Sequence, residues 1–258
     1  MLVSRSIWNG TITFGMVNVP VKLYSATESK SVRFHEVHLK DGAKIEHRRV
    51  CPKQDKEVPY EEIVKGYEVA EGKYVVLDND EVKAAAGDRG KVIHLREFVE
   101  AAEIDPAFYE KTYSMGSRDG EDAYRLLFEA LKKTGRAGIG RFSFHDREYL
   151  VAIRAAADVL ILHTLRFHDE LVVADELEIE ADGRKPSERE VEMAGRLIQT
   201  LAADFNPDEY EDEYRDAVLD LIKRKAKGKE IDLVAQEEPE HGEDLAAALQ
   251  ASLAGAKR

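Results

Sequence analysis

One cysteine, one tryptophan and seven prolines occur in 258 residues. Cys51 has no partner for an internal disulfide, so the fold is expected to be held by burial alone. Charged residues recur too often for any window of about 18 to 20 uncharged apolar residues, the length a membrane-spanning helix needs. The opening MLVSRSIWNG lacks the apolar run of about 7 to 15 residues of a secretory signal. A cytoplasmic protein without membrane contact is therefore expected. Motifs of catalysis are also missing. The glycines of TGRAGIG (134 to 140) lack the Lys-Ser/Thr ending of a phosphate loop, and no nucleophile elbow is present. Neither enzymatic activity nor a cofactor is expected.

What is present is enough apolar material, 43% of residues, for one large or two modest folded units. The net charge of −13 argues against a nucleic-acid partner on its face. The average hides a gradient, because residues 1 to 60 carry ten Lys/Arg against six Asp/Glu. An anion-binding surface is thus expected to draw on the N-terminal quarter.

The N-terminal part reads as strands. Val17, Val19, Val21 and Leu23 alternate with polar residues or Pro20, and Ile12 and Phe14 alternate with Thr11 and Thr13, so a hairpin about Gly15 and Met16 is expected. Pro20 predicts an edge or a bulge. Further β-rich runs at 74 to 77, 91 to 98, 140 to 145, 149 to 153 and 158 to 165 fit a barrel or sandwich. Ala123, Leu126, Leu127, Ala130 and Leu131 predict one helix between Gly120 and Gly135, packed on the barrel. After residue 186 the period turns helical. Ser187 and Glu190 form a capping box ahead of the stripe Val191, Ala194, Ile198, Leu201 and Phe205. Asn206 and Pro207 predict the start of a second helix, with Tyr210, Tyr214, Ala217, Val218 and Leu221 on its face and Gly228 after it.

Three sets of residues invite a chemical reading. His35, His38, His47 and Cys51 are metal-ligating types, but no short paired spacing is complete, and surface histidines are the preferred reading. Asp78, Asp80 and Glu81 read as a turn and helix cap before they read as a magnesium site, and Glu61 with Glu62 comes with no base at motif spacing. The stretch 38 to 58 carries Lys40, Lys44, Arg48, Arg49, Lys53 and Lys56 about an Asp-Gly turn at 41 and 42. On these residues alone it is either a solvated hairpin or a phosphate-contacting arm.

The blocks RSIWNGTITFGMVNVPVKLYSAT (5 to 27), VRFHEVHLKDGAKIEHRRVC (32 to 51), VPYEEIVKGYE (58 to 68), FVEAAEIDPAFYEKTY (98 to 113) and MAGRLIQTLAADFNPDEYEDEYRDAVLDLI (193 to 222) resemble bacterial Ku, in order and over essentially the whole chain. The resemblance implies a mixed α and β, β-dominated fold: a β-barrel core with a bridging arm that dimerises into a ring, followed by a C-terminal helical arm. It implies no catalysis, but binding of double-stranded DNA ends irrespective of sequence, as a homodimer that recruits an ATP-dependent DNA ligase, ligase D, in non-homologous end joining. Residues 36 to 68 become the bridge within a core of residues 1 to 186. Lys40, Lys44, Arg48, Arg49, Lys53, Lys56 and Lys65 become the candidates for lining the hole, with Arg141, Arg147 and Arg154 as secondary ones. Location is expected to be cytoplasmic, on the nucleoid when bound to DNA. An unrelated β-rich enzyme is the alternative from another class.

Two departures from relatives matter. Some have a CxxC in the bridge, whereas CPKQDK keeps only Cys51, so no metal is carried over. The Lys-rich tail of some members is reduced here to Ala256, Lys257 and Arg258. Past an arm at 187 to 228 and a charged linker at 229 to 242, residues 243 to 258 resemble the ligase-recruiting end. Leu245, Leu249 and Leu253 are its docking stripe; the alternative is a helix folded back on its own subunit.

Overall fold

A computed structural model describes residues 5–78, 80–82, 91–144, 147–172, 177, 185–228, 249, 250 and 252. The chain divides into two compact units, one of residues 1–29 with 36–177, the other of residues 30–35 with 178–258.

In the first unit β1 (Trp8–Phe14) and β2 (Val17–Ser25) form the expected hairpin, with Ile12 opposite Val19 and Gly15 at φ +56° in its turn. Next come two short ladders, β3 (Val50–Cys51) with β4 (Lys56–Glu57) and β5 (Lys65–Ala70) with β6 (Lys73–Leu77). The remaining strands are β7 (Val92–Glu100), β8 (Tyr109–Ser117), β9 (Arg136–Phe144), β10 (Arg147–Ala156) and β11 (Val159–Leu165). They join the hairpin in a closed barrel of order β1-β2-β8-β11-β10-β9-β7, whose closing pair, β1 with β7, is parallel.

Alternation fills the barrel. Ile12, Val19, Val21, Ile93, Val151, Ile153, Leu160 and Leu162 are fully buried, and Trp8 meets Phe142 edge-on at 5.5 Å. Each such side chain contributes about 1.5 to 3 kcal/mol. The glycines of TGRAGIG serve packing here. A Cβ on Gly140 would lie 2.4 Å from the His94 carbonyl oxygen, so β9 approaches β7 only without one. Closure also corrects the expectation at Pro20. Its strand is paired on both sides, and Pro20 is tolerated because the β8 ladder stops at Val21, opposite Ser117.

Helix α1 (Glu121–Thr134) buries Leu127, Phe128 and Leu131 against the barrel core and ends at Gly135 in the left-handed region. From it the Tyr124 hydroxyl donates to the Met115 carbonyl at 2.6 Å and accepts from the Leu160 amide at 2.9 Å, pinning helix to sheet. Outside the barrel, Ala101, Ile104, Phe108 and Tyr109 pack over Ala137, Ala152 and Leu165.

In the second unit Ser187 forms the expected capping box, its amide donating to Glu190 Oε2 at 2.7 Å, and starts α2 (Glu188–Leu201). The next helix begins later than its sequence cap predicts. Asn206 and Pro207 start only a 3-10 turn (Pro207–Glu209), and Asp212, accepting from the Arg215 amide at 2.9 Å, caps α3 (Glu213–Ala226). Two capping residues six positions apart compete, and the second has the uninterrupted run behind it. Tyr210 therefore lies outside the helix. None of the described helices is long and apolar enough to cross a membrane.

Candidate nucleic-acid interface

The basic stretch sits on an extended arm of the first unit. No described residue from 25 to 82 is buried. The Asp-Gly turn forms as expected: Gly42 takes φ +73°, the Gly42 amide donates to the His38 carbonyl at 2.8 Å, and Val37 bridges Lys44. The Ala43 amide and His38 both bond the Asp41 carboxylate and hold its pKa below the ordinary value.

Beyond that bridge, residues 45–49 are not a strand, so the two faces expected for an extended segment do not separate. Lys44, Ile45, Glu46, His47 and Arg48 instead line one cleft of about 570 Å³ together with Glu57. Arg48 Nη1 approaches Glu57 Oε2 at 3.4 Å, and the Arg49 guanidinium lies 5.2 Å from the centre of the Tyr60 ring. In the turn after Cys51, whose carbonyl accepts from the Gln54 and Asp55 amides, Asp55 takes φ +50°, and Lys53 projects into solvent. Lys40, Lys44, Lys53, Lys56 and Lys65 are exposed and have no ion-pair partner among the described residues. Exposed cations without protein carboxylates are suited to phosphates.

Two of the three histidines of the metal-like set, His38 and His47, are engaged elsewhere. His38 Nδ1 lies 2.9 Å from Asp41 and His47 Nε2 lies 3.0 Å from Glu36. Among the described residues no group of three or more His, Cys, Asp and Glu is placed to hold a metal ion. Asp78 acts as a cap, its Oδ1 accepting from the Asp80 and Glu81 amides.

The barrel arginines part company. Phe142 and Ile153 fill the interior, so their neighbours Arg141 and Arg154 project from the outer face, while Arg147 follows the inward parity of Tyr149 at the strand's end. Arg141 Nη1 meets Glu148 at 3.3 Å, and Arg147 Nη2 meets Glu170 at 2.7 Å. Arg154 Nε donates to His163 Nε2 at 3.0 Å. Sequence reading passed over Glu57, Glu148, Glu170 and His163, for which no motif exists.

It also passed over an apolar surface on the arm. Tyr67, Val69, Tyr74, Val75 and Val76 of the β5–β6 hairpin are all exposed. The signal was legible in KGYEVA and KYVVL, where apolar residues fall on both faces of a two-stranded ladder. An isolated hairpin of this kind is marginal in water. Of the predicted docking stripe Leu249 is half-buried, whereas Leu245 and Leu253 lie outside the described residues.

The family model described as the Ku70/Ku80 beta-barrel domain matches residues 13–193. "Non-homologous end joining protein Ku" of Anaeromyxobacter sp. (strain K) is 45% identical over 259 residues, covering 99% of this chain and 87% of that one. The protein of the same name from Archaeoglobus fulgidus is 38% identical, covering 98% of this chain and 100% of its own. That from Bacillus subtilis (strain 168) is 35% identical, covering 98% and 83%.

Proposed function

The chain belongs to the Ku family, and from that premise we propose that it serves in non-homologous end joining by binding double-stranded DNA ends as a homodimeric ring threaded by the duplex. One observation carries the reading: a single arm bears both exposed lysines without an ion-pair partner among the described residues and an exposed apolar hairpin. The lysines suit phosphates and the hairpin suits a second copy of the arm. A ring made by two such arms presents its cations to the duplex and buries its apolar residues at the seam.

Lys and Arg neutralise phosphates without reading bases, as a protein that accepts any broken end requires. With a net charge of −13, affinity comes from this local strip, and the acidic remainder repels DNA lying elsewhere. The role is that of a scaffold, with no chemical step of its own. Its place is the cytoplasm, on the nucleoid when bound. No observation favours an unrelated β-rich enzyme.

Organisation follows the same reading: a core to residue 186 with its bridge, a helical arm to 228, a linker to 242 and a terminal segment whose Leu245, Leu249 and Leu253 dock an ATP-dependent ligase. Leu249→Asp puts a charge at the centre of that stripe, so it leaves end binding intact and abolishes ligase stimulation.

The deciding experiment compares linear with covalently closed circular duplex of one length and sequence. A threaded ring binds the linear form and has little affinity for the circle. Equal affinity for both overturns threading.

A further inference from the structure

Of the three candidate arginines at 141, 147 and 154, two have their terminal nitrogens on carboxylates, Arg141 on Glu148 and Arg147 on Glu170. Arg154 differs. Its Nε meets a neutral imidazole, and its guanidinium has no carboxylate partner among the described residues. We propose that His163 is a positioning residue that holds the Arg154 guanidinium on the outer face of the barrel with both terminal nitrogens free for a DNA phosphate; this rests on the DNA-end reading above.

The geometry dictates the proton positions. In the antiparallel β10–β11 pair Ala152 stands opposite His163 and Arg154 opposite Ile161, which makes Arg154 and His163 diagonal neighbours on one face. A guanidinium can only donate, so His163 Nε2, 3.0 Å from Arg154 Nε, carries the lone pair. The ring proton is therefore on Nδ1, which lies 3.0 Å from Thr112 Oγ1 on β8 and donates to it. Tyr109 meets the imidazole edge-on at 4.9 Å, and the residue is only 8% exposed, so the ring has little freedom to turn. Burial and the adjacent Arg154 charge both keep it neutral, with a pKa lowered to about 4. A neutral acceptor orients the cation without cancelling its charge. The carboxylates at Arg141 and Arg147 orient and neutralise at once.

The test is a double-mutant cycle on the full-length protein, read as affinity for a linear duplex and its salt dependence. Arg154→Ala should lower the log-log salt slope by about 0.9, one phosphate contact. His163→Ala should weaken binding about three- to tenfold, the order expected when a held side chain regains its rotamers. It should add nothing in the Arg154→Ala background. His163→Gln, whose carbonyl can accept from Nε, should restore part of the loss. In free protein labelled with nitrogen-15, the Arg154 Nε–H signal should be slow to exchange in the wild type and fast in His163→Ala. This last reading is independent of DNA. Additive losses, or an Nε–H signal indifferent to His163, overturn the positioning role while leaving Arg154 at the interface. Unchanged affinity in a folded Arg154→Ala protein overturns the inference by removing Arg154 from the interface, while the arm and the threaded ring stay untouched.

Discussion

Arg48, two residues before β3, pairs with Glu57 of β4, Nη1 to Oε2 at 3.4 Å, with both side chains more than half exposed. An exposed pair of this kind contributes about 0 to 1 kcal/mol, so an arriving phosphate can displace the carboxylate at little cost. The same holds in kind for Arg141 with Glu148 and Arg147 with Glu170 on the barrel.

Removing the competitor tests this. Glu57→Gln should tighten binding to linear duplex at low salt by about two- to fivefold, whereas Arg48→Ala with Arg49→Ala should flatten the log-log salt slope by up to about 2. Fluorescence anisotropy titrations at several salt concentrations measure both. An unchanged slope in a folded double variant moves the DNA contacts off this part of the arm.

The β5–β6 hairpin should be part of the seam between two copies. Val75→Asp puts a charge opposite Tyr67, in the middle of the exposed apolar ladder, and should shift sedimentation at micromolar concentration from dimer to monomer. End binding should fall with it. A monomeric wild-type species of 29.1 kDa would contradict the ring.

Tyr124 offers a test confined to stability. Its hydroxyl bridges the Met115 carbonyl and the Leu160 amide, and burial raises its pKa, so the group stays protonated and donates throughout the neutral range. Tyr124→Phe leaves the Leu160 amide without its acceptor and should cost about 1 to 3 kcal/mol in denaturant unfolding. DNA-end binding well below the transition should be unaffected, since α1 packs on β2, β9 and β10 and carries none of the arm's cations.

Stability should also fall with acid through His163. Its folded pKa is lowered to about 4 from an ordinary 6.5, so between those values the unfolded chain binds the extra proton. The stabilising preference for neutral imidazole is thus complete above pH 6.5 and is lost as pH falls toward 4. The loss is roughly 2 kcal/mol, allowing for screening at the solvent-facing side of Arg154. Relative to wild type, His163→Gln should flatten the unfolding free energy between pH 6.5 and 4. Identical pH profiles would show that His163 protonates as readily folded as unfolded.

The local elements were legible because their causes lie within a few residues. Alternation in Val17 to Leu23 sets the inward face of β2, Gly120 and Gly135 bracket α1, Ser187 reaches Glu190 three residues on, and Asp41 with Gly42 makes its own turn. The cations of the arm were legible for the same reason, since charge is a property of the residue wherever it sits. Other features depend on partners far along the chain. In β8 only Met115 is buried, so the strand shows little alternation and is fixed by pairing to β2 and β11 on either side. A one-residue change of register turns every side chain to the other face, so only the closed barrel decides that Arg141 and Arg154 project outward while Arg147 follows the inner row. Glu170 comes to Arg147 from 23 positions away, and His163 comes to Arg154 through the register of a hairpin. Composition determined how much positive charge the arm carries; tertiary structure decided which of those charges on arm and barrel are neutralised, because that depends on which acid or imidazole folding brings within reach.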